Sequence, residues 1–131
     1  MPYTLSWEPR GVYRRYLGDV TMAERAHSLE RICADPRFDD LCYTITCYLD
    51  VQAYEATPDG TRDVAAMHIG PLFTNPRIIM AAVAVRPDIL AYIEAFTATG
   101  FVRQPYRVFD TLREARAWIE RTHPSLSAGR G

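Results

Sequence analysis

The sequence predicts an α/β fold with a mixed central sheet and an opening β-hairpin, and three patterns predict it. Two short segments flank Pro9-Arg10-Gly11, an unbroken apolar run lies within Arg77 to Val85, and Thr-x-x-Glu boxes stand at Thr21 and Thr111. Alternation marks a strand with one buried face, a continuous apolar run marks a strand covered on both faces, and the boxes mark helix starts. The expected element order is ββαβαβαβα, one domain over residues 1–123 with a flexible tail at 124–131.

Tyr3, Leu5 and Trp7 alternate with Thr4, Ser6 and Glu8, which gives the first strand one buried side. Pro9-Arg10-Gly11 turns the chain into a second strand, Val12 to Leu17, that ends at Gly18. Thr21 and Glu24 can each satisfy an orphan backbone donor, and Met22, Ala26, Leu29 and Cys33 follow as the apolar stripe of the first helix. Asp35-Pro36 stops it. Leu41 to Leu49 is a third strand, with Leu41, Tyr43, Ile45, Cys47 and Leu49 on one face and Thr44 and Thr46 on the other.

Residues 50–60 carry Pro58, Asp59 and Gly60 without periodicity and read as a loop, followed by a helix from Thr61 through Val64, Met67 and His68. Gly70-Pro71 ends or kinks it. The apolar run from Arg77 to Val85 reads as the centre of the sheet. Pro87 opens a third helix with the stripe Ile89, Ile93 and Phe96, and Thr99-Gly100 offers a left-handed end. Tyr106 to Phe109 is the last strand. Thr111 and Glu114 then start a fourth helix with Leu112, Ala115, Trp118 and Ile119, which His123-Pro124 ends.

Composition removes more chemistry than it supplies. At 131 residues and 48% hydrophobic, the chain can bury a sizeable core, and no apolar run approaches the length of a membrane-spanning helix. Three cysteines without paired spacing fit a reducing compartment, so the cytoplasm is the expectation. A net charge of -1 gives no general attraction to nucleic acid. All 15 basic residues are arginine, which leaves no P-loop lysine, Schiff base or lysine general base.

The four serines form no nucleophile elbow and the seven glycines no phosphate-binding loop. Cys42 and Cys47 stand at an odd offset, which would place them on opposite strand faces, and Glu24-x-x-His27 lacks the second pair a di-iron site needs. His68 reads as a half-buried helix residue and His123 as a helix-end cation. Arg113, Glu114, Arg116, Glu120 and Arg121 alternate in sign as a solvated face does. No catalytic residue, metal site or cofactor is assigned, and the chain reads as a non-enzyme.

The closing segment, Tyr106-Arg-Val-Phe-Asp-Thr-Leu-Arg-Glu-Ala-Arg-Ala-Trp-Ile119, resembles the last strand, turn and Glu-Ala-x-x-Trp-Leu helix of the STAS-like stage II sporulation protein AA-like family. The whole element order resembles that family too. Its regulatory members carry a phosphorylated serine in a turn after the third strand. The matching region here, Asp50 to Thr61, has no serine and offers Tyr54, Thr57 and Thr61, with Asp59-Gly60 as a partial echo.

The resemblance implies a binding or regulatory module acting through protein contact. Asp50, Tyr54, Thr57, Thr61, Met67 and Phe73 are the candidate contact residues, with Thr57 and Thr61 the candidate phosphoacceptors. A helix start in that region would favour a phosphate or a partner's carboxylate. The alternatives are binding of an apolar small molecule or lipid with membrane association, to which Tyr54, Met67, Leu72 and Phe73 could contribute, and a small enzyme of unknown class. A homodimer stays open.

Overall fold

Alternation in the first twenty residues builds a hairpin. The computed structural model describes residues 2–123, so the expected tail lies outside the described residues. Strands β1 (Tyr3–Glu8) and β2 (Gly11–Val20) pair antiparallel, with Glu8 opposite Gly11, around a turn in which Arg10 takes φ 66°. Gly11 is fixed by contact, because a Cβ there would stand 2.0 Å from the Tyr43 ring. Strand β2 does not stop at Gly18. That residue takes φ 60° beside a register shift, and the bulged strand continues alongside β3 to Val20.

Strands β3 (Tyr43–Tyr54), β4 (Ile79–Val83) and β5 (Tyr106–Phe109) add in parallel, giving the order β1-β2-β3-β4-β5. The middle strand is therefore β3, whereas the apolar run had pointed to residues 77–85. All five residues of β4 are buried because helices cover it from both sides. An unbroken apolar run reports two-sided burial, which a fourth strand has as soon as the last helix crosses beneath it.

Helices α1 (Met22–Ala34), α2 (Pro58–Ala66), α3 (Ile69–Thr74) and α4 (Pro87–Ala98) pack on one face, and α5 (Leu112–Thr122) on the other. Successive parallel strands laid down in one direction, joined by right-handed crossovers, put their connecting helices on the same side. Only α5 follows the last strand and can fold beneath it. The first face is filled by Tyr16, Ile32, Tyr48, Val64, Leu72, Ile89, Ile93 and Phe96, the second by Ile45, Ile79, Val83, Ala115, Trp118 and Ile119.

Several local expectations shift for identifiable reasons. Helix α2 starts at Pro58, not Thr61, because proline's fixed φ suits a first helical residue and the Thr57 hydroxyl caps the Gly60 N–H at 3.0 Å. The stretch read as a loop shrinks to residues 55–57. The next break falls at Met67-His68, and Gly70-Pro71 sits inside the first turn of α3, where a missing N–H is tolerated. In α1 the buried residues are Arg25, Ser28, Leu29 and Ile32, so the stripe is rotated from the one centred on Ala26 and Cys33. Cys42 and Cys47 join the same core cluster, since Cys42 precedes β3 and escapes its alternation.

Both threonine boxes cap their helices. At Thr21 the reciprocal pair is complete, whereas the Glu114 carboxylate accepts from the Thr111 hydroxyl at 3.0 Å. Asn75, 2% exposed, donates to the carbonyls of Phe38 and Leu41 and so ties the entrance of β4 to the 3-10 turn Pro36–Asp40.

Candidate functional site

Period-2 alternation places Arg14 between Val12 and Tyr16 on the face of β2 covered by α1–α4. Its guanidinium spans two elements. Nε and Nη2 donate to Thr46 Oγ1 at 3.3 and 3.0 Å, and Nη1 donates to Ser28 Oγ at 3.0 Å. The Ser28 hydroxyl gives its one proton to the Arg25 carbonyl, 2.9 Å away, which leaves it to accept from Arg14 and from the Tyr16 hydroxyl at 2.8 Å. Thr46 thus faces the core, 4% exposed, because an arginine on the neighbouring strand satisfies it.

Arg25 enters the same space from α1. Met22, Arg25, Leu29 and Ile32 recur at helical spacing, so the guanidinium is carried inward with the apolar stripe. It lies between two aromatic faces, 4.1 Å from the Tyr54 centroid and 4.9 Å from that of Tyr92, with Nη2 against Met22 Sδ. Its Nε and Nη1 meet no hydrogen-bond acceptor among the described residues.

Between these arginines and the sheet lies a cavity of about 60 Å³, lined also by Tyr48, Tyr92, Phe96, Tyr106 and His68 and by aliphatic side chains of α1, α3 and β4. Aromatic contacts run around it, from Tyr16 stacked on Tyr48 at 5.5 Å to Phe96 against Tyr106 at 5.7 Å. His68 Nδ1 donates to the Val64 carbonyl at 2.8 Å, and burial holds the imidazole neutral, with its pKa lowered to about 4. Burial likewise pushes the Cys33 thiol and the Tyr48 and Tyr106 phenols up.

The residues singled out from sequence divide into separate places. Asp50 is exposed at the far end of β3 and pairs with Arg15 at 2.7 Å. Tyr54 is half-buried against Arg25 and Tyr92. Thr57 is exposed and engaged as a cap, whereas Thr61, one turn on, is 4% exposed with its side chain in the interior. Met67 lines a shallow groove with Leu29, Cys33 and Pro71. Phe73 is 87% exposed beside Ile69 at 49%, in a second groove that Phe101 also lines. Thr57 and Met67 stand about 15 Å apart along α2, so the six residues do not gather in one pocket.

No protein-family model matches the chain. No curated protein matches it either. Among solved structures, the anti-sigma factor antagonist SpoIIAA in its unphosphorylated form superposes with a TM-score of 0.61 over 90% of this chain and 97% of that one, at 11% identity. The chain has a STAS-like fold. At that identity the likeness fixes architecture and leaves the side chains to be read on their own.

Within this STAS-like fold, sequence reasoning missed Arg14 and Arg25 and, of the tyrosines around them, singled out Tyr54 alone. The signal was present. Arg14 interrupts an otherwise apolar face of β2, and Arg25 occupies an inward position of α1. A long cation on a buried stripe is unusual enough to mark a site.

Proposed function

We propose that this chain is a non-enzymatic STAS-like regulatory module that acts by docking a partner protein on α3 and the adjoining segment 100–104. The observation that carries this reading is Phe73, almost fully exposed beside Ile69 and Phe101 on a surface left open among the described residues. A large aromatic left in water next to further apolar surface is the kind of feature that marks an interaction patch. The likeness to an anti-sigma factor antagonist supports the regulatory role.

The non-enzymatic part rests on side-chain chemistry. His68 is neutral but already donates from Nδ1, and the Cys33 thiol is held protonated by burial, so neither is poised as a nucleophile–base pair. Of the two candidate phosphoacceptors, Thr57 is the accessible one, and a phosphate there would stand at the positive end of α2, beside the Gly60 N–H that its hydroxyl already caps. The apolar-ligand alternative draws support from the cavity rather than from Met67 or Phe73. A space of about 60 Å³ is far too small for an acyl chain. Among the described residues no helix is long and apolar enough to cross a membrane.

The test is to isolate a partner by affinity capture, reconstitute the pair from purified components, and compare wild type with Phe73→Ser and Thr57→Glu. Weakened binding by Phe73→Ser with the fold intact supports the reading. Equal binding by wild type and Phe73→Ser contradicts the docking surface.

A further inference from the structure

The face of the sheet under α1–α4 encloses two guanidinium groups and no acid to balance them. Arg25 is 2% exposed, and two of its nitrogens lack an acceptor among the described residues. Arg14 reaches the same cavity, where its hydrogen bonds go to neutral hydroxyls. No aspartate or glutamate among the described residues lines the space. An unpaired charge in a low-dielectric interior is strongly unfavourable. The Tyr54 and Tyr92 rings offset part of that through their π-faces, yet neither ring face supplies an acceptor to the Nε edge of Arg25.

We propose that this cavity binds a small carboxylate, of the size of formate, with its oxygens on Arg25 and Arg14 and its C–H side against the apolar wall. Each oxygen takes a charge-assisted hydrogen bond, one from the unpartnered Arg25 nitrogens and one from an N–H that the hydroxyl partners of Arg14 leave over. Leu29, Ile32, Phe38, Leu72, Ile78 and Met80 form the rest of the lining, which suits a ligand charged at one end better than nitrate or phosphate. Size sets the class further. An apolar cavity of about 150 Å³ holds the six heavy atoms of benzene, so a space of about 60 Å³ admits a ligand of about two or three heavy atoms, the size of formate.

There is also a way in. Leu29, Cys33 and Pro71 line both the cavity and the outer groove that Met67 borders, so a single layer of side chains separates the ligand position from solvent. This inference stands apart from the docking surface, and Phe73→Ser leaves it untouched.

The experiment is calorimetric and thermal-shift titration of the purified full chain with sodium formate, formamide, sodium nitrate and sodium chloride at constant ionic strength. Saturable one-to-one binding of formate with a raised Tm is expected, and formamide, nitrate and chloride should give neither. Arg25→Met should bind formate about 10- to 100-fold more weakly, as loss of a charge-assisted pair requires. Should that variant fail to fold, the difference between formate and formamide on wild type decides alone. Equal responses to formate and its amide, nitrate binding as tightly as formate, or undiminished binding by folded Arg25→Met would each overturn the proposal.

Discussion

Arginine reaches the core from both faces of this sheet, and the two faces treat it in opposite ways. On the α5 face, Arg116 grips both oxygens of Glu8 at 2.9 and 2.7 Å, and the Tyr43 hydroxyl donates to the same carboxylate at 2.5 Å. Burial, reinforced by that bond, pushes the Tyr43 phenol up to about 12. Beyond this half-exposed pair the face is dry, with Ile45, Ile79 and Val83 beneath Trp118 and Ile119. Under α1–α4, by contrast, Arg14 and Arg25 meet hydroxyls and aromatic rings. A paired cation at the rim fastens one helix to the hairpin, whereas unpaired cations inside a cavity weaken the fold unless something else binds there.

The largest expected effect tests the dry face. Trp118 is 7% exposed against Phe109, so Trp118→Ala should lower unfolding free energy by about 3 to 5 kcal/mol in a denaturant titration. An unchanged midpoint would remove α5 from the core.

The next tests the face under α1–α4 by pH. His68 stays neutral in the folded protein down to about pH 4, whereas an unfolded histidine takes its proton near 6.5. The unfolded chain therefore binds more protons in that window, so the stability contribution is complete above about pH 6.5 and is lost as pH falls toward 4, by about 3 kcal/mol. His68→Gln should remove that part of the slope. An identical slope in wild type and His68→Gln would place the imidazole in water.

A smaller pair of effects sharpens the contrast directly. Arg116→Met breaks the Glu8 pair and should cost about 1 kcal/mol, since both partners keep some solvent. Arg25→Met replaces an unpaired buried cation with a shorter apolar chain, so the lost ring contacts offset the relief of the charge and the unliganded protein should stay within about 1 kcal/mol of wild type. A smaller loss in Arg25→Met than in Arg116→Met in urea titrations supports the comparison, and equal losses contradict it. Least of all, Phe73→Ser should change stability by no more than about 0.5 kcal/mol, because the ring is exposed.

How legible each region was follows the same division. The α5 face was readable because its parts are local: a capping threonine, an apolar stripe with Trp118, and a strand whose neighbours repeat its pattern. The helix-covered face was readable only in its aliphatic members. Arg14 and Arg25 line one cavity only because β2 and α1 fold against each other, with Ser28 bonded to the Arg14 side chain and to the Arg25 carbonyl. The alternation of β2 does mark Arg14 between Val12 and Tyr16, whereas the stripe drawn through Ala26 left Arg25 off it. Sheet order was hidden for a related reason: two-sided burial of β4 depends on where α5 ends up, which no pattern within residues 77–85 records.

The central claim is that the face under α1–α4 is built to hold an anion and the α5 face is not. Side-chain NMR of arginine Nε–H groups during a formate titration tests it most directly. The Arg25 and Arg14 resonances should shift together and saturate, while that of Arg116, already held by Glu8, stays in place. Uniform small shifts at all three arginines, or none at Arg25, would contradict the account.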